Sequence, residues 1–179
     1  MDFAELLNSV NSIEEKYPPV HLWNPDLCEG VEMRIDREGN WFYQGSIIGR
    51  DKLKILFSKI LKFENGKYYL VTPVEKVPVT VDLAPYIIVD YEVDLDHKNI
   101  ILKTNLDLSI PLDKDHQLEL KKIGDEHIPF VHVRNNIEGF ISRSVYYSLI
   151  EIALKQDNGS SDQLTLKSFN CDFNLGQTI

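Results

Sequence analysis

The chain has 179 residues, 43% of them hydrophobic and 26% charged, with 28 acidic against 19 basic side chains and a formal charge of −9. That is the make-up of a folded globular chain, and it excludes a disordered acidic tail, a collagen-like repeat and a disulfide-stapled mini-protein. The acidic balance also argues against a sequence-independent nucleic-acid binder, which needs basic surface to displace counter-ions from phosphate.

Residues 3–16 predict a short amphipathic helix, with Phe3, Leu6, Leu7, Val10 and Ile13 at helical spacing. Tyr17-Pro18-Pro19 closes it, because neither proline can donate to a helix and each restricts its predecessor. Acidic and amide side chains crowd the segment before Lys16, and no apolar run approaches the roughly 20 residues that span a bilayer. Neither a leader nor a membrane span is therefore expected, and the chain reads as cytoplasmic. Cys28 and Cys171 are too few for a disulfide framework and read as free thiols, unless the fold brings them together.

Val20–Gly30 reads as an extended or looped segment holding His21, Trp23, Asn24 and Pro25. A hairpin follows, Val31–Ile35 and Trp41–Tyr43, turning over Asp36–Asn40. Next comes a helix with Ser46 as its N-cap and an apolar stripe of Leu53, Leu56, Phe57, Ile60 and Leu61. Asn65-Gly66 marks a second hairpin turn into Lys67–Thr72. Val74–Asp82 is broken by Pro78, which places that strand at an edge or at a bend. Ala84-Pro85 reads as a boundary.

From Tyr86 the pattern changes to strands separated by acidic turns: Tyr86–Leu95, Asn99–Asn105, Asp107–Pro111 and Gln117–Ile123. Pro129–Arg134 and Glu138–Ser142 form a hairpin across Asn135-Asn136. A last helix starts near Ser142 or Ser144 and buries Val145, Leu149, Ile150, Ile152 and Ala153. Residues 156–163 read as a mobile linker, and Leu164–Phe173 alternates apolar and polar side chains in the manner of a strand. The resulting plan is α+β: a helix plus α/β subdomain over 1–84, a curled antiparallel sheet with a closing helix over 85–156, and a flexible tail over 157–179. Hairpin, serine and amphipathic helix occur twice, at 31–61 and 130–154, either by duplication or because strand–turn–strand–helix is a common unit.

Four segments carry a family resemblance: PPVHLWNP at 18–25, VEMRI leading to WFYQGSIIGR at 31–50, YYLVTPVEK at 68–76 and RSVYYSL at 143–149. Over about residues 17–154 the chain resembles the bacterial family named domain of unknown function 1285. Ile47 stands where that family's pattern has proline. The resemblance implies two subdomains built on a repeated motif, the second a pleckstrin-homology-like barrel capped by its C-terminal helix. It implies no established activity, and a non-protein ligand held between the subdomains, in a role in signal transduction.

The candidate site residues each admit two readings. Gly45-Ser46-Ile47-Ile48-Gly49-Arg50, between strand and helix, is either a small anion nest with Arg50 as counter-ion or a plain helix start, since the phosphate-loop Lys-Ser/Thr pair is missing. Thr72, Glu75 and Lys76 either line a pocket or form a surface hairpin with solvated charges. Arg143, at a helix start where the dipole disfavours a cation, needs an anionic partner: an acidic side chain such as Glu75, or a bound carboxylate or phosphate. Tyr147 follows it one helical turn on. Trp41, with Trp23 and His21, is either a pocket wall or core.

No metal, cofactor or catalytic group is expected. His97, His116, His127 and His132 match no ligand spacing, and Asp90, Asp94 and Asp96 lack a glycine-bearing calcium loop. Neither cysteine has a catalytic context and no Gly-x-Ser-x-Gly elbow exists. The expected function is a non-catalytic module whose cleft between the subdomains takes an unidentified, anionic small molecule through Trp41, Arg50, Thr72, Glu75, Lys76, Arg143 and Tyr147. A protein-interaction adaptor and an enzyme of unrecognised type are the alternatives, and neither nucleic acid nor membrane is an expected partner.

Overall fold

The structure, a computed structural model, describes residues 18–28, 30–94, 99–156 and 163–177. The helix expected over 3–16 lies outside them. The chain divides into two compact units at Pro85/Tyr86.

The first unit has strands β1 (Met33–Ile35), β2 (Trp41–Tyr43) and β3 (Ser46–Ile47), helix α1 (Asp51–Lys59), then β4 (Leu61–Glu64), β5 (Lys67–Val71) and β6 (Lys76–Val81). They form one sheet in the order β3-β2-β1-β6-β5-β4, antiparallel except for the β1–β6 pair. The β1–β2 turn forms as the sequence predicts. Asp36 Oδ1 accepts the backbone N–H of Asn40 at 2.8 Å, and Gly39 takes a φ of 80°. Met33, Ile35, Trp41, Phe57, Ile60, Leu61, Leu70 and Val77 fill the core.

The expected start and end of the helix both shift here. Ser46 does not cap a helix, because Gln44 and Gly45 both take positive φ and turn the chain back, pairing Ser46 with Tyr43 in a third strand. The helix starts at Asp51, after an Arg50 that makes no side-chain cap. It also ends sooner than its apolar stripe, so Leu61 opens β4. The strand holding Pro78 is central, with β1 on one side and β5 on the other. Proline is tolerated because the neighbouring chain bulges away at that point. Leu27 bridges Lys76 and Met33 pairs with Val79, so the register advances six positions on one side against three on the other.

The second unit has β7 (Tyr86–Val93), β8 (Ile100–Thr104), β9 (Ser109–Pro111), β10 (Leu118–Ile123), β11 (Glu126–Arg134), β12 (Ile137–Ile141), α2 (Arg143–Gln156), β13 (Gln163–Ser168) and β14 (Cys171–Gln177). Its sheet runs β10-β11-β12-β7-β8-β9, antiparallel except for β12–β7. Read from the other edge, this is the topology of the first unit: two three-strand meanders joined by a central parallel pair. The duplication therefore lies in the six-strand order. Each predicted hairpin is followed by a helix, but β1–β2 holds the first two strand positions and β11–β12 the last two.

The edge-to-edge connection also differs. In the first unit α1 lies within it, whereas β9 and β10 are joined by residues 112–117 alone. That segment is folded into a turn, with Asp113 Oδ1 accepting the N–H groups of Asp115 and His116 at 3.0 and 3.1 Å. A folded six-residue segment cannot cross the about 24 Å between the edges of a flat six-strand sheet, so the sheet curls into a half-barrel.

The segment expected as a flexible tail is, from Gln163 to Gln177, an ordered hairpin. Leu164, Leu166, Phe173 and Leu175 are buried, and α2 contributes Val145, Leu149 and Ala153. Ser168 Oγ accepts the N–H of Ile100 at 3.0 Å, Tyr146 donates its hydroxyl to Leu175 O at 2.5 Å, and Gln156 both donates to and accepts from the backbone of Lys167. The alternating pattern outweighs the polar linker because its apolar side chains have a surface to cover.

Candidate functional site

Strands β4 and β5 align Lys62 with Tyr69 and Glu64 with Lys67, and β5 and β6 align Tyr69 with Pro78 and Val71 with Lys76. Strand alternation therefore puts Lys62, Glu64, Tyr69 and Lys76 on one face. Lys62 Nζ lies 3.2 Å from Glu64 Oε1, and Lys76 Nζ pairs with Glu64 Oε2. Lys62 also donates to the carbonyl of Trp23 at 3.2 Å, so the 18–28 segment overlies this face. Lys76 Nζ sits 4.3 Å from the centre of the Tyr69 ring, a cation–π geometry. Both lysine side chains are 14% exposed. Hydrogen bonds from Lys76, then Lys62, hold the Glu64 carboxyl below its ordinary value. Two ammonium groups thus share one carboxylate over an aromatic ring.

The candidate residues fall into separate places. Thr72, Glu75 and Lys76 come together at the β5–β6 turn. Thr72 is fully buried and its Oγ1 accepts the N–H of Glu75 at 3.1 Å and of Val74 at 3.4 Å, so it shapes the turn. Glu75 Oε2 is buried without a donor among the described residues. Trp41 is core, stacked on Phe57 with ring centres 6.3 Å apart, and cannot wall a surface pocket. Arg50 is exposed ahead of α1. Of the two readings of 45–50, the anion nest does not form, since Gly45 turns a hairpin and Ser46–Ile47 is strand. In the second unit, Arg143 and the 64%-exposed Tyr147 occupy the outer face of α2. The acidic partner of Arg143 is Glu126 of its own unit, at 3.0 Å, in place of the Glu75 considered from the sequence.

Sequence reasoning missed Lys62, Glu64 and Tyr69. The Lys-x-Glu alternation of β4 was visible, but its meeting with Lys76 depends on the register of three strands. A shallow groove of about 420 Å³ lies where the chain bulges past Pro78, between Gly30, Glu32, Gln44 and Thr80. Among the described residues no group of three or more metal-ligating side chains occurs, both cysteines are free, and no helix is long and apolar enough to cross a membrane.

Comparison with known proteins agrees with this two-unit organisation. Residues 18–84 match the model described as the N-terminal domain of a domain of unknown function, DUF1285, and residues 85–175 match the C-terminal domain of the same family. The second match takes in the terminal hairpin. The crystal structure of a DUF1285 family protein from Silicibacter pomeroyi is similar over 97% of this chain and 95% of that one, with 37% identity and a TM-score of 0.81. A DUF1285 family protein from Shewanella baltica is similar over 70% of this chain and 94% of its own, with 28% identity and a TM-score of 0.57. No curated protein matches the chain. With both family models covering nearly all of its length, the chain belongs to the DUF1285 family.

Proposed function

We propose that this chain is a non-catalytic binding module for a small anionic molecule, and that Lys62 and Lys76 receive the anion. One observation carries the reading: two lysines, their side chains each 14% exposed, share the single carboxylate of Glu64 beside Tyr69. Two cations facing one carboxylate leave a net positive charge, and an incoming carboxylate or phosphate balances it through charge-assisted hydrogen bonds. Glu64, Asp82 and Asp113 are all held below the ordinary carboxylate value. Structural ion pairs shift carboxylates in that direction, whereas a general acid or base working near neutrality needs the opposite shift.

A pleckstrin-homology-like reading of the second unit draws support from its curled sheet and the helix α2 packed on it. The β13–β14 hairpin is an addition to that plan. A module with no chemistry of its own fits a sensing role in signal transduction.

Thermal shift against a panel of carboxylates, phosphates and nucleotides tests the proposal. A ligand at about 100 times its dissociation constant adds about 2.7 kcal/mol of stability. That gain should disappear in Lys62→Gln and Lys76→Gln and persist in Arg143→Gln. A panel without a stabilising anion, or a hit insensitive to both lysine substitutions, rejects the reading.

A further inference from the structure

The β9–β10 connection brings together two imidazoles that sequence spacing does not pair. His116 ends the Asp113 turn and His132 lies on β11, whose N–H at that residue donates to Gln117 O at 3.0 Å. The ring centres stand 6.1 Å apart with their planes inclined by 34°. His116 Nδ1 is 2.9 Å from Asp113 Oδ1, and His132 Nδ1 is 2.9 Å from the carbonyl oxygen of Asp115. An ionised carboxylate and a carbonyl only accept, so each Nδ1 carries the hydrogen and each neutral ring keeps its lone pair on Nε2. Neither Nε2 has a hydrogen-bond partner among the described residues. A carboxylate or carbonyl behind the ring is also the support that orients metal-binding histidines and raises their basicity.

We propose that His116 and His132 form a two-imidazole site for a borderline divalent transition ion, Zn²⁺, Ni²⁺ or Cu²⁺, with water in the remaining positions. Nitrogen donors select these ions over calcium or magnesium, which prefer oxygen. On one tetrahedral ion, with metal–nitrogen bonds of about 2.0–2.1 Å, two imidazoles have ring centres about 5 Å apart. The observed ring centres stand about 1 Å farther apart than that, and His132 lies on a partly exposed position where its ring can adjust. No third protein ligand completes the set among the described residues, so the ion exchanges readily. Its effect is to tie the edge-to-edge connection of the half-barrel to β11.

Calorimetric titration of the untagged full chain with Zn²⁺ and Ni²⁺, and electron paramagnetic resonance with Cu²⁺, test this site. One ion per chain should bind, the copper spectrum should report two nitrogen donors, and Zn²⁺ should raise the melting temperature. His132→Gln should weaken binding by at least about tenfold while leaving the Asp113 turn intact. His116→Gln should do the same, with circular dichroism confirming the fold. The exposed His127 and His21, changed to Gln, should leave affinity as it was. Absence of binding at about 1 mM ion, or affinity unmoved by either inner substitution, overturns the site.

Discussion

A Cβ placed on Gly139 would stand 2.9 Å from the Cβ of Tyr86 and 3.0 Å from its carbonyl oxygen. These two residues pair where β12 meets β7, the parallel junction that joins the two meanders of the second sheet. Gly139→Ala forces backbone apart at that junction and should cost about 1–3 kcal/mol. Gly49→Ala meets no atom within 4 Å and should stay within about 0.5 kcal/mol. Urea denaturation of the two variants checks the contrast, and equal midpoints refute it.

The terminal hairpin is part of the second core. Phe173 is 2% exposed, and Phe173→Ala should cost about 3–5 kcal/mol. Ser168→Ala strands the N–H of Ile100 in a buried place and should cost about 1–3 kcal/mol. Losses below these ranges in chemical denaturation would mean that the hairpin is dispensable.

The β11–β12 turn needs two left-handed residues, Asn135 at φ 46° and Asn136 at φ 61°. Asn136→Val should cost about 1–2 kcal/mol, because a branched side chain is strained there. Asn136→Gly should be tolerated within about 0.5 kcal/mol, since glycine takes this conformation freely. The difference between the two variants, again from denaturation midpoints, is the quantity to measure.

Acid should destabilise the fold in a defined window. Hydrogen bonds from Arg34 hold Asp82 below its ordinary value, and Lys76 and Lys62 do the same for Glu64. Burial pushes Asp113 up, but hydrogen bonds from the His116 ring and from the N–H groups of Asp115 and His116 bring it below its ordinary value. A carboxylate with a depressed folded value contributes stability above its unfolded value, about 3.9–4.3, and loses it as pH falls through the folded one. Stability should therefore hold at neutrality and decline below about pH 4. Asp82→Asn should flatten that decline, and an unchanged slope would show that the Arg34 pair carries none of it.

Local chemistry made much of the fold legible. Asn65-Gly66, Asn135-Asn136 and the Asp36–Asn40 turn were readable because positive φ and short polar side chains announce themselves over a few residues. The strands of the second half followed from alternation, and both helices from their apolar spacing. Ser46 was misread because its cap-like character is local, whereas the Gln44-Gly45 turn ahead of it commits the residue to a strand. The missing donor of Pro78 reads as an edge or a bend, and only its neighbours in the sheet decide between them, because they set where a donor is needed.

The chemistry-bearing clusters belong to the tertiary structure. Lys62 and Glu64 sit two apart on one strand, yet only the register of β4, β5 and β6 brings Lys76 to the same carboxylate. His116 and His132 lie sixteen positions apart and meet because the connection from β9 folds back against β11. Side-chain pattern encodes which face of an element is apolar, a property of neighbours in the chain. Which polar groups share a place is set by the pairing of distant strands, and the burial of their apolar faces decides that pairing.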